Sequence, residues 1–145
     1  MHKQFYASGF IYYPSTQQIL LQQHKSLISK WSLFEEKNQK DEEPTDTFIR
    51  GSFKQLKIKI TAKAIYAIYD YFNTELNGHY HMFYAKVKNK KEIHEKQDYN
   101  IEWFTFQQIS KLPLHEQTKQ DIMVGKRVID AALRNKEEKK RAKTT

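Results

Sequence analysis

Trp31-Ser32-Leu33-Phe34-Glu35-Glu36, Asp41-Glu42-Glu43-Pro44 and Phe48-Ile49-Arg50-Gly51-Ser52-Phe53-Lys54-Gln55-Leu56-Lys57-Ile58 follow one another as strand, charged loop and amphipathic helix. Trp31-Ser32-Leu33 reads as a short strand. Glu35 to Glu43 has no apolar periodicity and reads as a loop. Pro44 suits the first turn of a helix, where its missing N–H costs nothing. Ile49, Phe53 and Leu56 then recur at i, i+4 and i+7, an apolar stripe that faces a core. The spacing predicts a helix over Pro44 to Ile58, packed on a sheet through those three side chains, with Lys54 off the stripe. Gly51 inside it costs about 1 kcal/mol relative to alanine, so glycine brings no helical advantage there.

The same residues carry a resemblance. They are similar to the Nudix box, the signature G-x5-E-x7-R-E-U-x-E-E-x-G-U (U apolar) of the Nudix hydrolase family, which W-x-L-P-G-G usually precedes. Glu42, Arg50 and Ile58 fall in register with the signature, and Trp31, Leu33 and Pro44 fall in register around it. Glu36 stands where the loop glycine belongs, Gly51 where the glutamate after arginine belongs, and Lys54-Gln55 where the glutamate pair belongs. The resemblance implies an α/β (α+β) Nudix fold, a mixed β-sheet sandwiched between α-helices, with a degenerate MutT-like box.

In that family the box glutamates share one helix face and hold Mg2+ through oxygen ligands. The ions clamp phosphates and help activate the attacking water. Here Gly51, Lys54 and Gln55 offer no carboxylate, and an ammonium at Lys54 repels Mg2+. We therefore expect no metal at the box and weak or absent hydrolysis. The first functional reading is a module that binds a nucleotide-like or other phosphorylated ligand through Arg50, Lys54 and Gln55. The alternatives are a divergent hydrolase of a nucleoside diphosphate linked to another moiety, with Glu42 and Glu102 as its catalytic carboxylates and Mg2+ as cofactor, and a protein- or RNA-binding adaptor. Arg50, without its usual partner on the helix, is expected to reach Glu42 or a loop carbonyl.

Composition bounds these readings. At 145 residues the chain divides into one domain, 1–135, and a basic tail, 136–145, expected to be disordered. Nine Phe and nine Tyr argue for a packed core. No apolar run has membrane-spanning length, and Met1-His2-Lys3-Gln4-Phe5 lacks the pattern of a secretion signal, so we expect a cytoplasmic protein without a membrane partner. Without cysteine there is no disulfide framework and no thiolate zinc site. The net charge of +8 favours an anionic partner. Part of that excess is the solvated run Lys136-Glu137-Glu138-Lys139-Lys140-Arg141-Ala142-Lys143. Four glycines exclude a Gly-rich phosphate loop, and no Ser-His-Asp order, Walker motif or zinc spacing supports other catalytic classes.

Elsewhere the chain reads as Phe5 to Tyr13 and Ile19 to Gln23 (an opening hairpin), and Ala64 to Phe72 and His79 to Val87 around an Asn77-Gly78 turn. Apolar residues on both faces of Ala64 to Phe72 (Ile65, Ala67 and Tyr69 against Ala64, Tyr66 and Ile68) suit a strand covered on both sides. Lys88 to Tyr99 reads as a charged loop and Glu102-Trp103-Phe104 as a short strand. Phe106 to Ile109 starts a helical turn. Glu116 to Arg134 is a helix carrying Ile122, Val128, Ile129 and Leu133, with Gly125 placed for close packing. Three clusters carry further possibilities. Glu35, Glu36, Asp41, Glu42, Glu43 and Asp46 form an acidic run that reads as solvated loop. Tyr66, Tyr69, Tyr71, Tyr80 and Tyr84 offer faces on which a base could stack. His79 and His81 point the same way on a strand and could be a metal pair, although no third ligand is evident in the sequence.

Overall fold

The sheet is organised by Tyr6–Tyr13 (β1), whose buried residues alternate between two cores. In the computed structural model, which describes residues 3–26, 30–90 and 98–144, the other strands are Gln18–His24 (β2), Phe34–Lys37 (β3), Ile65–Asn73 (β4), Gly78–Lys86 (β5) and Tyr99–Thr105 (β6). Their order is β4-β5-β1-β2-β6, with β3 pairing β1 off that path. β1 runs parallel to β5 and antiparallel to β2 and β3, so the sheet is mixed. It also forks. β1 pairs with β2 through Ile11 to Tyr13 and with β3 through Tyr6 to Gly9, so β2 and β3 diverge from a shared neighbour. At the fork Gly9 lies against β5, where a Cβ would stand 1.8 Å from the Phe83 carbonyl oxygen. Only glycine permits that approach.

Side chains alternate across a strand, and each face has its helix. Phe10, Leu21, Met82 and Tyr84 pack with Ile122 and Ile129 of α3 (Glu116–Thr144). Ala7, Ile11, Leu20 and Phe83 pack with Phe48 and Leu56 of α1 (Pro44–Leu56). A short α2 (Phe106–Ile109), closed by a capping box between Thr105 and Gln108, links β6 to α3. This is the helix–sheet–helix arrangement that the resemblance implies.

Several expectations need correction. The buried stripe of α1 is Phe48, Ser52 and Leu56, with Thr47 and Gly51 beside it. Ile49 is half-buried and Phe53 is 42% exposed, with the Lys57 ammonium over its ring. Small residues at 51 and 52 let the helix lie close to β3, and that contact outweighs the larger apolar residues as the choice of face. The helix stops at Leu56, short of Ile58, because Lys57 adopts the left-handed conformation (φ 59°) and returns its N–H to the Phe53 carbonyl. Lys57 occupies the signature's closing-glycine position.

The expected strand at Trp31 to Leu33 is a single bridge, Ser32 to Gln22, and the regular strand begins at Phe34, inside the expected loop. Its charges are tolerated because Glu35 and Glu36 point to opposite faces and each finds partners there. β4 is an edge strand, half-exposed along most of its length, and so is not covered on both sides. Its pairing with β5 shifts register between Ala67 and Tyr69, which moves Tyr69 off the face of Ile65 and onto that of Met82 and Tyr80. The Asn77-Gly78 hairpin is as expected, with Asn77 at φ 49°. β6 extends beyond Glu102 to Phe104, and Tyr99 opens it. The expected loop from Lys88 falls partly outside the described residues.

α3 does not stop near Arg134; it continues as exposed helix through the segment expected to be a disordered tail. Leu133 is 43% exposed and Val128 half-buried, whereas Gly125 packs as expected, its Cβ position 2.8 Å from the Phe10 ring. No helix among the described residues is long and apolar enough to cross a membrane.

Candidate functional site

Where the sheet forks, a cleft of about 1150 Å³ opens between the strands, α1 and the start of α3. Ser8, Glu35 and Tyr80 come from the sheet, Lys54 and Gln55 from α1, and Gln117 and Asp121 from α3. Of the expected site residues, Lys54 and Gln55 line this cleft, whereas Arg50, Glu42 and Glu102 do not. A smaller cavity of about 200 Å³ lies under Lys59, Lys86 and Lys88, away from the box face of α1.

Arg50 is committed to the protein. Its Nε and Nη2 donate to the two Glu42 oxygens at 2.9 and 3.0 Å, and Nη2 also donates to the Lys37 carbonyl at 2.7 Å. It thus reaches both expected partners at once, the glutamate and a loop carbonyl. Glu42 also accepts from the Thr47 hydroxyl at 2.7 Å and the Gln39 N–H at 2.9 Å. This arrangement clamps the loop before α1 onto the helix.

Glu36 and Gly51 share one space. A Cβ at Gly51 would lie 2.6 Å from Glu36 Cβ and 3.2 Å from Glu36 Cγ. The Glu36 side chain, only 14% exposed, fills the space that a side chain at 51 would take. A carboxylate therefore still stands beside the helix, but β3 delivers it. Its Oε2 lies 3.4 Å from Arg50 Nη1 and 3.5 Å from Lys54 Nζ and has no hydrogen bond. That single oxygen, between two cations, does not suit Mg2+, which needs several hard oxygen ligands in an octahedral shell. Glu42 cannot complete the set, because Arg50 holds both its oxygens. The residues present do not fit the family's metal.

The Arg50 hydrogen bonds hold the Glu42 carboxyl down to about 2, with the Gln39 N–H and Thr47 hydroxyl adding to the effect. A depressed folded-state value contributes stability above the ordinary carboxylate value of 4.5, lost as pH falls towards 2. Glu42→Gln is expected to destabilise the protein by about 2 kcal/mol at pH 7, an intermediate value for a partly buried pair. Urea denaturation at pH 7 and pH 3 checks this. The gap between wild type and variant should shrink in acid, and a pH-independent gap would refute the assignment.

On the far wall is a second polar centre that the sequence reading missed. Asp121, buried on α3, accepts from the Tyr69 hydroxyl at 2.5 Å, the Tyr71 hydroxyl at 3.1 Å and Gln117 Nε2 at 3.0 Å. Burial nevertheless leaves its carboxyl above the usual range. The available signal was a carboxylate four and eight residues before Gly125 and Ile129, on the core-facing side of the helix. Glu35 is an exposed residue of the cleft lining whose carboxyl group is nevertheless partly desolvated by the protein around it. That desolvation raises its carboxyl, opposed by a hydrogen bond from Tyr80. Gln55 Nε2 donates to the Glu35 carbonyl at 2.7 Å. Gln22 donates to the Leu33 carbonyl at 3.3 Å and keeps its Oε1 buried at the cleft without a partner.

Among the five candidate tyrosines, Tyr71 and Tyr80 line the cleft, stacked at 5.8 Å with planes 9° apart. Tyr66 and Tyr84 stack on one another outside the cleft lining, and Tyr69 is held by Asp121. Glu102 is exposed on edge strand β6.

No protein-family model and no curated protein matches the sequence. Solved structures do match the fold. The NUDIX domain of Shewanella oneidensis NrtR, solved with ADP ribose, superposes with a TM-score of 0.67 at 13% identity, covering 89% of this chain and 90% of that one. A Caenorhabditis elegans Ap4A hydrolase gives 0.66 at 14% identity, covering 90% and 99%. The C-terminal domain of mouse MUTYH, solved in complex with human PCNA, gives 0.66 at 9% identity, covering 88% and 90%. At such identities the likeness establishes the fold, and the chain has the Nudix fold.

Proposed function

We propose that this Nudix-fold chain binds a nucleotide-like, phosphorylated ligand in the forked cleft and does not hydrolyse it efficiently. The observation that carries the reading is the exchange of charge at the box. Lys54, 67% exposed at the cleft, stands on the helix face where family members hold Mg2+, and its loose 3.5 Å pairing with Glu36, made without a hydrogen bond, leaves its ammonium able to turn to a ligand. A lysine ammonium is a mobile point charge suited to phosphate. Arg50 takes no part in binding on this reading, because its donors are spent on Glu42 and Lys37.

Two further features support a nucleotide-like partner. The stacked Tyr71 and Tyr80 rings give the cleft an aromatic wall. The unpartnered Gln22 Oε1 is a buried acceptor, and leaving such a group unsatisfied costs about 1–3 kcal/mol, so a ligand N–H would be favoured beside it. The hydrolase alternative is weaker. It depends on Glu42, whose oxygens are occupied, and on Glu102, which lies outside the cleft lining. The adaptor alternative draws on the exposed basic end of α3 and on the likeness to a domain solved with a protein partner.

Metal-free calorimetric titration of ADP ribose and Ap4A into wild type and Lys54→Ala tests the proposal. Removing one partly screened charge contact should weaken binding about 5–10-fold, roughly 1–1.4 kcal/mol, and flatten its salt dependence. Truncation after Asn135 should leave these affinities unchanged. Equal affinities in wild type and Lys54→Ala would remove Lys54 from the site. Loss of small-ligand binding on truncation would favour the basic helix instead.

A further inference from the structure

His79 and His81 share one face of β5, directed away from the face on which Tyr80 meets the cleft, because successive side chains alternate. The register of the hairpin brings a third group to them. Asp70 on β4 is the cross-strand partner of His81. Its Oδ1 lies 2.9 Å from His79 Nε2, and the two imidazole centroids are 4.7 Å apart. One donor atom from each of the three residues lies within 4.8 Å of the others. His81 is also braced edge-on against Phe5, with centroids 5.1 Å apart.

We propose that Asp70, His79 and His81 form a binding site for a d-block divalent cation of the Zn2+ type, with a fourth position open to water or another ligand. The donor set selects the class. Imidazole nitrogens suit Zn2+ and its neighbours, whereas Mg2+ takes oxygen ligands, so this site differs in kind from a Nudix box. The spacing fits. Tetrahedral ligands at bond lengths of 2.0–2.1 Å lie about 3.3 Å apart; the His79–Asp70 pair is already near that, and side-chain rotation closes the widest gap.

An ion pair alone does not account for the arrangement. His79 and Asp70 would suffice for one, and exposed pairs of that type contribute only about 0–1 kcal/mol. The second imidazole is the additional feature, and two hydrogen-bonded strands hold the three residues in register. Asp70 is 59% exposed, so the site is open to an entering ion.

Zn2+ titration of chelator-stripped full-length protein tests the proposal, monitored by calorimetry and, with Co2+ as a spectroscopic substitute, by visible absorption. Wild type should bind one Zn2+ per chain at micromolar concentration or tighter and give the intense Co2+ bands of a four-coordinate site. His79→Gln and His81→Gln should each weaken Zn2+ at least tenfold, and the double variant should lose both stoichiometric binding and the Co2+ bands. Asp70→Asn, at an exposed position, provides a fold-neutral second variant with the same expected weakening. Melting curves with chelator establish that each variant is folded. Absence of one-to-one binding by wild type, or unchanged binding in the folded variants, would overturn the site.

Discussion

Gly51→Glu, a substitution that matches the family signature, is expected to destabilise this protein by about 2–4 kcal/mol. The ideal Cβ at 51 lies 2.6 Å from Glu36 Cβ, whereas carbon atoms attract best at about 3.5–4.0 Å. Both atoms are fixed to backbone, one on α1 and one on β3, so relief requires the helix and strand to separate. Overpacking of this kind costs about 1–3 kcal/mol and occasionally more. A second carboxylate beside the buried Glu36 adds repulsion. Helix propensity returns no more than about 1 kcal/mol. Glu36→Gly in the same chain removes the clash and returns both positions to the family's pattern. The double variant should therefore be more stable than Gly51→Glu alone, with a coupling of about 2 kcal/mol or more between the sites. Urea denaturation of the two single variants and the double variant measures it. If the single effects add, 36 and 51 are independent losses and the exchange of places is an accident of sequence.

That coupling also marks what the sequence could not disclose. The opening hairpin, the hairpin at Asn77-Gly78 and the helix after Pro44 were legible, because turn chemistry and the aligned frame act locally. The buried face of α1 was not. Apolar periodicity favoured Ile49 and Phe53, but the close approach of β3 rewards small residues, and no residue of α1 reports what lies across from it. β3 itself was hidden because a strand of Phe34, two glutamates and a lysine has no apolar alternation. Its charges are satisfied by Arg50, Lys54 and Tyr80, which come from other elements. Asp121 escaped for the same reason, its hydroxyl partners standing fifty or more residues away in sequence. The third ligand beside His79 and His81 depended on cross-strand register, and the shift between Ala67 and Tyr69 makes that register unreadable from alternation. Lys54 and Gln55 were singled out by the aligned signature, and the helix carries both to the cleft lining.

Rebuilding the box should have the largest effect of all. Wild type is expected to show Mg2+-dependent pyrophosphohydrolase activity several orders of magnitude below that of an intact family member. Metal ions supply several kcal/mol of transition-state stabilisation, and each 1.4 kcal/mol is about tenfold in rate. This chain has Gly51, Lys54 and Gln55 where the signature has glutamates, and its Glu36 and Glu42 pair with cations. The combination Glu36→Gly, Gly51→Glu, Lys54→Glu and Gln55→Glu reverses each of these features except the Arg50–Glu42 clamp, which holds the loop. It removes the ammonium, places three carboxylates on one helix face, and releases Arg50 Nη1, which faces Glu36 in wild type, to pair with the new glutamate beside it. Gln55→Glu also gives up the hydrogen bond to the Glu35 carbonyl, a cost of about 1 kcal/mol, while Glu36→Gly keeps Gly51→Glu from adding its clash to that cost. The variant should bind Mg2+ at millimolar concentration or tighter, and wild type should show no saturable binding at the box. Its metal-free affinity for ADP ribose should fall about tenfold and recover when Mg2+ is added. Calorimetry with Mg2+ alone, followed by ligand with and without Mg2+, separates these effects from any gain in turnover. Robust Mg2+-dependent hydrolysis by wild type, lost in Glu42→Gln or Glu102→Gln, would reverse the conclusion, because those two carboxylates would then be catalytic despite their place outside the cleft lining.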